Sequence, residues 1–264
     1  MKQTLLAISL ALAASSVSLA QAGVLKIGTS PVPFAEILEH IQPALEKRGV
    51  ELEITEFNDY VQPNYAVADG ELDLNLFQHK PYLDMFIKDH GSDLVDVGAV
   101  LIAPMGVYSH KIQNLSEVKE GDSVGIPNDP TNGGRALLLL AKAGLIKVSD
   151  PNNANITVLD IAENPKNLDI HELEAAQLPR SLEDLDVAVI NTNYAIPAGL
   201  NPIKDSLFLE SSDSPYVNIV VANSKSANNP DNKILLEELS SEDTANFIKV
   251  KYEGALVPVG GSKK

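Results

Sequence analysis

From Val24 to Leu76 the apolar residues switch four times between the spacing of a strand and the spacing of a helix. Val24 to Ser30 reads as a buried strand that Pro31-Val32-Pro33 stops, and Phe34, Ile37, Leu38, Ile41 and Leu45 then recur at helical intervals up to Gly49. Leu52 and Ile54 give a second strand, Ala66 to Gly70 closes a short helix, and Leu72, Leu74 and Leu76 give a third strand. A β-α-β-α-β order of this kind predicts a parallel sheet covered by helices, because each crossover between parallel strands must lay its apolar stripe on the sheet. A helix at Pro81 to His90 follows, then a long apolar stretch from Leu94 to Tyr108.

A second alternating set begins after the connection from Ser109 to Asp122. It comprises strands at Val124 to Ile126, Ile156 to Leu159 and Val187 to Ile190, with a helix at Arg135 to Leu145. Tyr216 to Val221 is again extended and apolar, and two helical patterns close the chain, at Lys233 to Leu239 and Thr244 to Tyr252. The expected architecture is α/β with two lobes and a ligand cleft between them: lobe 1 from 23–107 plus 219–264, lobe 2 from 108–218. Ligands in such folds gather outside the carboxyl ends of strands and at lobe interfaces.

The first residues carry a different message. Lys2, the apolar run Leu5 to Ala14 and the small-x-small string Ala20-Gln21-Ala22 predict a signal peptide over 1–22, too short to span a bilayer. Removing it takes Lys2 and no acid from a total of 20 basic and 36 acidic residues, leaving 19 against 36, a charge of -17. So acidic a chain lacks the basic footprint that neutralises phosphates, which excludes nucleic acid as a partner. The sequence has no cysteine, and therefore no disulfide, thiolate metal site or acylated cysteine anchor. Its five histidines are scattered with no His-x-x-x-His pair, and no nucleophile elbow, P-loop or dinucleotide fingerprint is present. No metal, no cofactor and no catalytic residues are expected.

Arginine is the scarcest cation, with only Arg48, Arg135 and Arg180 in the chain. Its planar fork grips a carboxylate with paired hydrogen bonds, so a carboxylate site has few candidates. Arg48 suits a helix C-terminus, where a cation is favoured, and Arg180 fits either an interlobe contact or a structural pairing. Arg135, after Gly133-Gly134, falls at an expected helix start, unfavourable for a cation unless an anion is also there. It is read as an anion clamp, against a surface charge or an ion pair within the lobe. Tyr60, Phe77, His79 and Tyr82 fall on or near strand exits and suggest an aromatic pocket wall; the alternative is that Phe77 and Tyr82 are core residues and His79 bonds a backbone carbonyl. Asn191 and Asn218 sit at or in apolar strands, where an amide must be satisfied by a ligand or by a turn.

Six strings then resemble one family. They are Phe57-Asn58-Asp59-Tyr60, Phe77-Gln78-His79-Lys80-Pro81-Tyr82-Leu83-Asp84, Pro127-Asn128-Asp129-Pro130-Thr131-Asn132, Glu163-Asn164-Pro165-Lys166-Asn167-Leu168, Gln177-Leu178-Pro179-Arg180-Ser181 and Ser214-Pro215-Tyr216-Val217-Asn218. In order and over essentially the whole mature chain, they are similar to the methionine-binding, MetQ/NlpA-type substrate-binding proteins of ABC importers. The resemblance implies a two-lobed protein that closes on free methionine and delivers it to an inner-membrane permease driven by an ATPase. By the same resemblance, Tyr60, Phe77 and His79 line the side-chain pocket, Arg135 holds the ligand carboxylate, and Asn191 and Asn218 meet the amino-acid head.

That family is commonly lipidated at a cysteine after the signal sequence, which this chain lacks. A soluble, monomeric periplasmic protein without a lipid anchor is therefore expected, with L-methionine as its ligand. The alternatives are D-methionine, a methionine dipeptide or another apolar amino acid and, from other classes, an exported enzyme acting on amino-acid derivatives or a surface adhesin.

Overall fold

The computed structural model describes residues 23–259, so the expected signal peptide lies outside the described residues. The chain opens as expected, with β1 (Gly23–Thr29), an irregular helical turn at Pro31–Ala35, α1 (Glu36–Lys47) and β2 (Val50–Glu56). Pro31 to Pro33 thus starts a turn that leads into α1. Arg48 caps α1, and Gly49 follows at φ 80°, the left-handed conformation that ends helices most easily in glycine. Next come α2 (Gln62–Ala68), β3 (Leu74–His79), α3 (Lys80–His90) and β4 (Val95–Ile102). The apolar stretch Leu94 to Tyr108 proves to be two strands, because β5 (Gly106–Tyr108) joins a different sheet from β4.

The middle of the chain supplies β6 (Ser123–Pro127), α4 (Pro130–Lys142), β7 (Lys147–Val148), β8 (Ile161–Glu163) and β9 (Asp169–Leu173). It continues with α5 (Leu178–Ser181), β10 (Val187–Ile190), α6 (Thr192–Ala195) and β11 (Phe208–Leu209). The last elements are β12 (Val217–Ala222), α7 (Pro230–Leu239), α8 (Glu242–Lys251) and β13 (Val257–Pro258). The strand expected at Ile156 to Leu159 does not form. Thr157 caps a short helical turn instead, its hydroxyl accepting from the Leu159 N–H, and Leu159 is left exposed.

Two large sheets result, in the orders β13-β4-β12-β3-β1-β2 and β11-β5-β10-β6-β9, beside a β7-β8 ribbon. Within them β1 runs parallel to β2 and β3, and β6 parallel to β9 and β10, but β12 is antiparallel to both β3 and β4. The sheets are therefore mixed. Each is covered on both faces: one face of the first packs on Ile37, Leu38 and Ile41 of α1 and Leu235 of α7, the other on Val67 and Leu83. In the second, Leu137 and Leu140 of α4 cover one face, Leu178 and Leu182 the other. Such double burial explains why the strands read as continuous apolar runs.

The chain crosses between sheets at residues 103–105 and 210–216. A division after Val107 falls inside β5, and one after Asn218 inside β12.

Candidate functional site

The carboxyl ends of β3, β6 and β10 converge between the two lobes. There a cavity enclosing about 380 Å³ of empty space, part of it open to solvent, is lined by all six residues singled out in the sequence: Tyr60, Phe77, His79, Arg135, Asn191 and Asn218. Phe34, Gln78, Tyr82, Ala103, Asn132, Thr192 and Asn193 complete the wall. Tyr82 belongs to the ring cluster seen in the sequence, where its role stays open; the other six were not singled out there. Of those six, Asn193 had the clearest signal, since it lies two residues beyond Asn191 at the end of a strand.

One wall is aromatic. The Tyr60 ring lies 6.0 Å from Phe77 and 6.1 Å from Tyr82, centroid to centroid, and Phe77 meets Tyr82 edge-on at 5.8 Å. The Tyr82 hydroxyl donates to the Tyr60 backbone carbonyl at 2.8 Å, which ties the Tyr82 ring to the loop that carries Tyr60. Behind them a buried amide cluster anchors β3: the Asn75 and Gln78 amides each donate to the Asn64 side-chain carbonyl, at 2.9 Å and at 2.6 Å. Every member of that cluster is paired, as burial requires.

His79 ends β3 and caps α3. The Tyr82 N–H donates to its Nδ1 at 3.2 Å, so Nδ1 carries no proton, and Nε2–H is left to donate to the Asn132 side-chain carbonyl at 3.1 Å. The same Asn132 oxygen accepts from Asn191 Nδ2 at 2.9 Å. Burial first, and the nearby Arg135 charge second, lower the His79 pKa to about 3, so the ring is neutral at ordinary pH. Asn132 is held in turn by Asp129, the N-cap of α4, whose carboxylate accepts from both the Asn132 backbone and its side chain. Burial raises the Asp129 pKa.

The opposite wall carries Arg135, and here the expected local structure is corrected. Helix α4 begins at Pro130, five residues before the expected start, so Arg135 lies in the second turn and not at the positive end of the dipole. Proline at the first helical position and aspartate at the cap are favoured there, and both precede the apolar periodicity from which the start was read. Gly133 and Gly134 are required by the packing around α4. A Cβ on Gly133 would stand 2.9 Å from the Pro127 carbonyl, and one on Gly134 2.6 Å from that of Ala154.

The anion beside Arg135 is part of the protein. Glu210 accepts from Arg135 Nε at 3.0 Å and also from Nη2, Nη2 donates to the Ala103 carbonyl at 3.0 Å, and the Tyr216 ring lies 4.4 Å from the guanidinium carbon. Arg135 is 3% exposed and Glu210 9%. Arg135 Nη1 has no acceptor among the described residues. Asn191 Oδ1 and Asn193 Nδ2 are buried and unpaired, and no side-chain hydrogen bond of Asn218 is found among the described residues.

The cavity thus sets free donors and an acceptor beside an aromatic wall, a fit for a small ligand with a charged head and an apolar tail. The other arginines stand elsewhere. Arg48 pairs with Glu237 and Glu238 of α7, and Arg180 is exposed. Among the described residues no group of three His, Asp or Glu could hold a metal, and no helix is long and apolar enough to cross a membrane.

The NlpA lipoprotein family model matches residues 25–260. The D-methionine-binding lipoprotein MetQ of Salmonella typhi is 46% identical over 225 residues, covering 84% of this chain and 82% of that protein. A nutrient-binding protein from Burkholderia cenocepacia, solved bound to methionine, is 47% identical with a TM-score of 0.86, over 89% of this chain and 99% of that one. A periplasmic substrate-binding protein of an ABC transporter from Coxiella burnetii is 44% identical with a TM-score of 0.86, over 89% and 100%.

Proposed function

The chain belongs to the NlpA lipoprotein family, and on that premise we propose that it is a periplasmic substrate-binding protein that captures methionine for an ABC importer. The observation that carries this reading is the pairing of one polar end, Arg135 Nη1, Asn191 Oδ1 and the Asn218 amide, with one aromatic end, Tyr60, Phe77, His79 and Tyr82, in a single interlobe cavity. A ligand carboxylate takes the guanidinium, its ammonium takes the asparagine carbonyl, and the thioether meets the rings, where sulfur contacts contribute roughly 0.3 to 1.5 kcal/mol each. His79 is neutral and adds no charge to that wall.

The ligand is L-methionine, the protein acts as a monomer, and the loaded form delivers its ligand to an inner-membrane permease and its ATPase. It is a binding protein and not an enzyme. Residues 1–22 are a cleaved signal peptide. The relatives are named lipoproteins, whereas these 264 residues contain no cysteine that could carry an acyl group. The lobes are the units of the two sheets, joined at 103–105 and 210–216. D-methionine is the second reading, on the strength of the relatives' names.

Isothermal titration of ligand-stripped protein with each methionine enantiomer tests the assignment, together with mass spectrometry of whatever co-purifies. Saturable heat with L-methionine is expected, and a tighter D-enantiomer would exchange the two readings. Absence of heat with both would remove methionine as the ligand, and turnover of an added amino-acid derivative would favour an enzyme.

A further inference from the structure

We propose that Glu210 determines the charge class of ligand the cavity accepts: by neutralising Arg135 while leaving Nη1 free, it selects carboxylates that carry their own ammonium over carboxylates that do not. The proposal rests on the amino-acid-binding reading above and adds a residue that neither the sequence patterns nor the family resemblance identified.

The geometry separates the two sides of the guanidinium. Glu210 takes Nε and Nη2, the Ala103 carbonyl takes Nη2 as well, and the Met105 N–H donates to Glu210 at 3.1 Å. Tyr216 covers the guanidinium face. Glu210 is thereby held by three donors and does not line the cavity, whereas Arg135 does. A ligand therefore meets a donor fork whose positive charge is already balanced. His79, neutral, adds nothing to compensate an incoming anion.

A zwitterion fits these terms. Its carboxylate meets Nη1, its ammonium meets Asn191 Oδ1, and no net charge is transferred from water. An acid of the same length without the ammonium brings one uncompensated negative charge to a guanidinium that Glu210 already balances, and the Nη1 donor replaces only part of the hydration it loses. Removing the Glu210 charge uncovers a full positive charge. That charge attracts the whole of the anion, but in a zwitterion the attraction on the carboxylate is partly cancelled by repulsion of the ammonium.

The test compares dissociation constants for L-methionine and for 4-(methylthio)butanoate, which is methionine lacking its amino group, in wild type, Glu210→Gln and Glu210→Asp. Wild type is expected to prefer methionine by at least about 100-fold, and Glu210→Gln to narrow that ratio by at least about tenfold, since the uncovered charge acts unequally on the two ligands. Glu210→Asp keeps the charge and should hold the ratio within about threefold of wild type, even if both ligands weaken. An unchanged ratio in Glu210→Gln, or equal loss of both ligands in a folded variant, overturns the proposal. If Glu210→Gln does not fold, the aspartate variant decides, and a tenfold change of ratio there overturns it. Wild type binding neither ligand would instead sink the amino-acid-binding reading, and this inference with it.

Discussion

The Tyr60 hydroxyl donates a 2.6 Å hydrogen bond to the side-chain carbonyl of Asn193, joining the loop after β2 to the first turn of α6 across the cleft. Tyr194 reinforces it: its ring lies 5.0 Å from that of Tyr60, and its hydroxyl donates to the Asn58 carbonyl at 3.2 Å. These contacts can form only while the lobes are together, so they belong to the closed state and bias the equilibrium toward it. Tyr60→Phe removes one hydrogen bond and keeps the ring. Methionine affinity should fall by about 1 to 2 kcal/mol, mostly as faster release. Stopped-flow displacement checks this; an unchanged off-rate would show that the bond does not hold the cleft shut.

Arg135→Ala should weaken methionine binding by at least about 1.5 to 3 kcal/mol, the value of a charged hydrogen bond. It should also lower stability by about 3 to 5 kcal/mol, because Glu210 is left buried without its cation. Replacing both by methionine should recover most of the stability and none of the binding. Urea denaturation and titration calorimetry read the two effects separately.

His79 titrates at about 3 in the folded protein against about 6.5 unfolded. Between those values the unfolded chain holds the extra proton, so the stability from this group is complete above pH 6.5 and is lost as pH falls toward 3. From pH 7.5 to 5 the loss should be about 2 kcal/mol. His79→Gln, which removes the titrating ring, should flatten that part of the profile. Equal slopes for variant and wild type in urea titrations at pH 7.5, 6 and 5 would contradict the assignment.

Gly134→Ala places a methyl group 2.6 Å from the Ala154 carbonyl and 2.9 Å from that of Ile156, both backbone atoms. Overpacking of this sort costs about 1 to 3 kcal/mol, offset by up to about 1 kcal/mol of helix propensity. A net loss of stability in urea is expected, with weaker ligand binding because Arg135 is the next residue. A variant as stable as wild type would mean that the segment 154–156 yields freely.

What the sequence disclosed follows the reach of its signals. The period of apolar residues located β1, β3, β10 and α3 within a few residues, since burial on both faces of a sheet leaves a continuous run. The scarcity of arginine led to Arg135, and strand exits led to Tyr60 and His79. Glu210 gave no signal, because its partner is 75 residues away and an acid in an acidic chain is unremarkable in sequence. Ile156 to Leu159 looked like a strand from composition, but Thr157 and Asp160 close a reciprocal capping box that bends the segment first. The first turn of α4, Pro130 to Gly133, carries no apolar periodicity, so its start is marked only by the Asp129 cap and Pro130.

Strand β12 lies between β3 and β4 and is antiparallel to both. All five strands of the second sheet are present once residue 209 has been made, but at that stage β4 still lacks the neighbour that ties it to β3. For a chain synthesised from its N-terminus, the half carrying Arg135 and Asn191 has all its strands while the half carrying Tyr60 and His79 awaits an internal one. The cleft thus cannot be complete before β12 is made, and a chain cut short before Val217 would lack both Asn218 and the strand that joins β3 to β4.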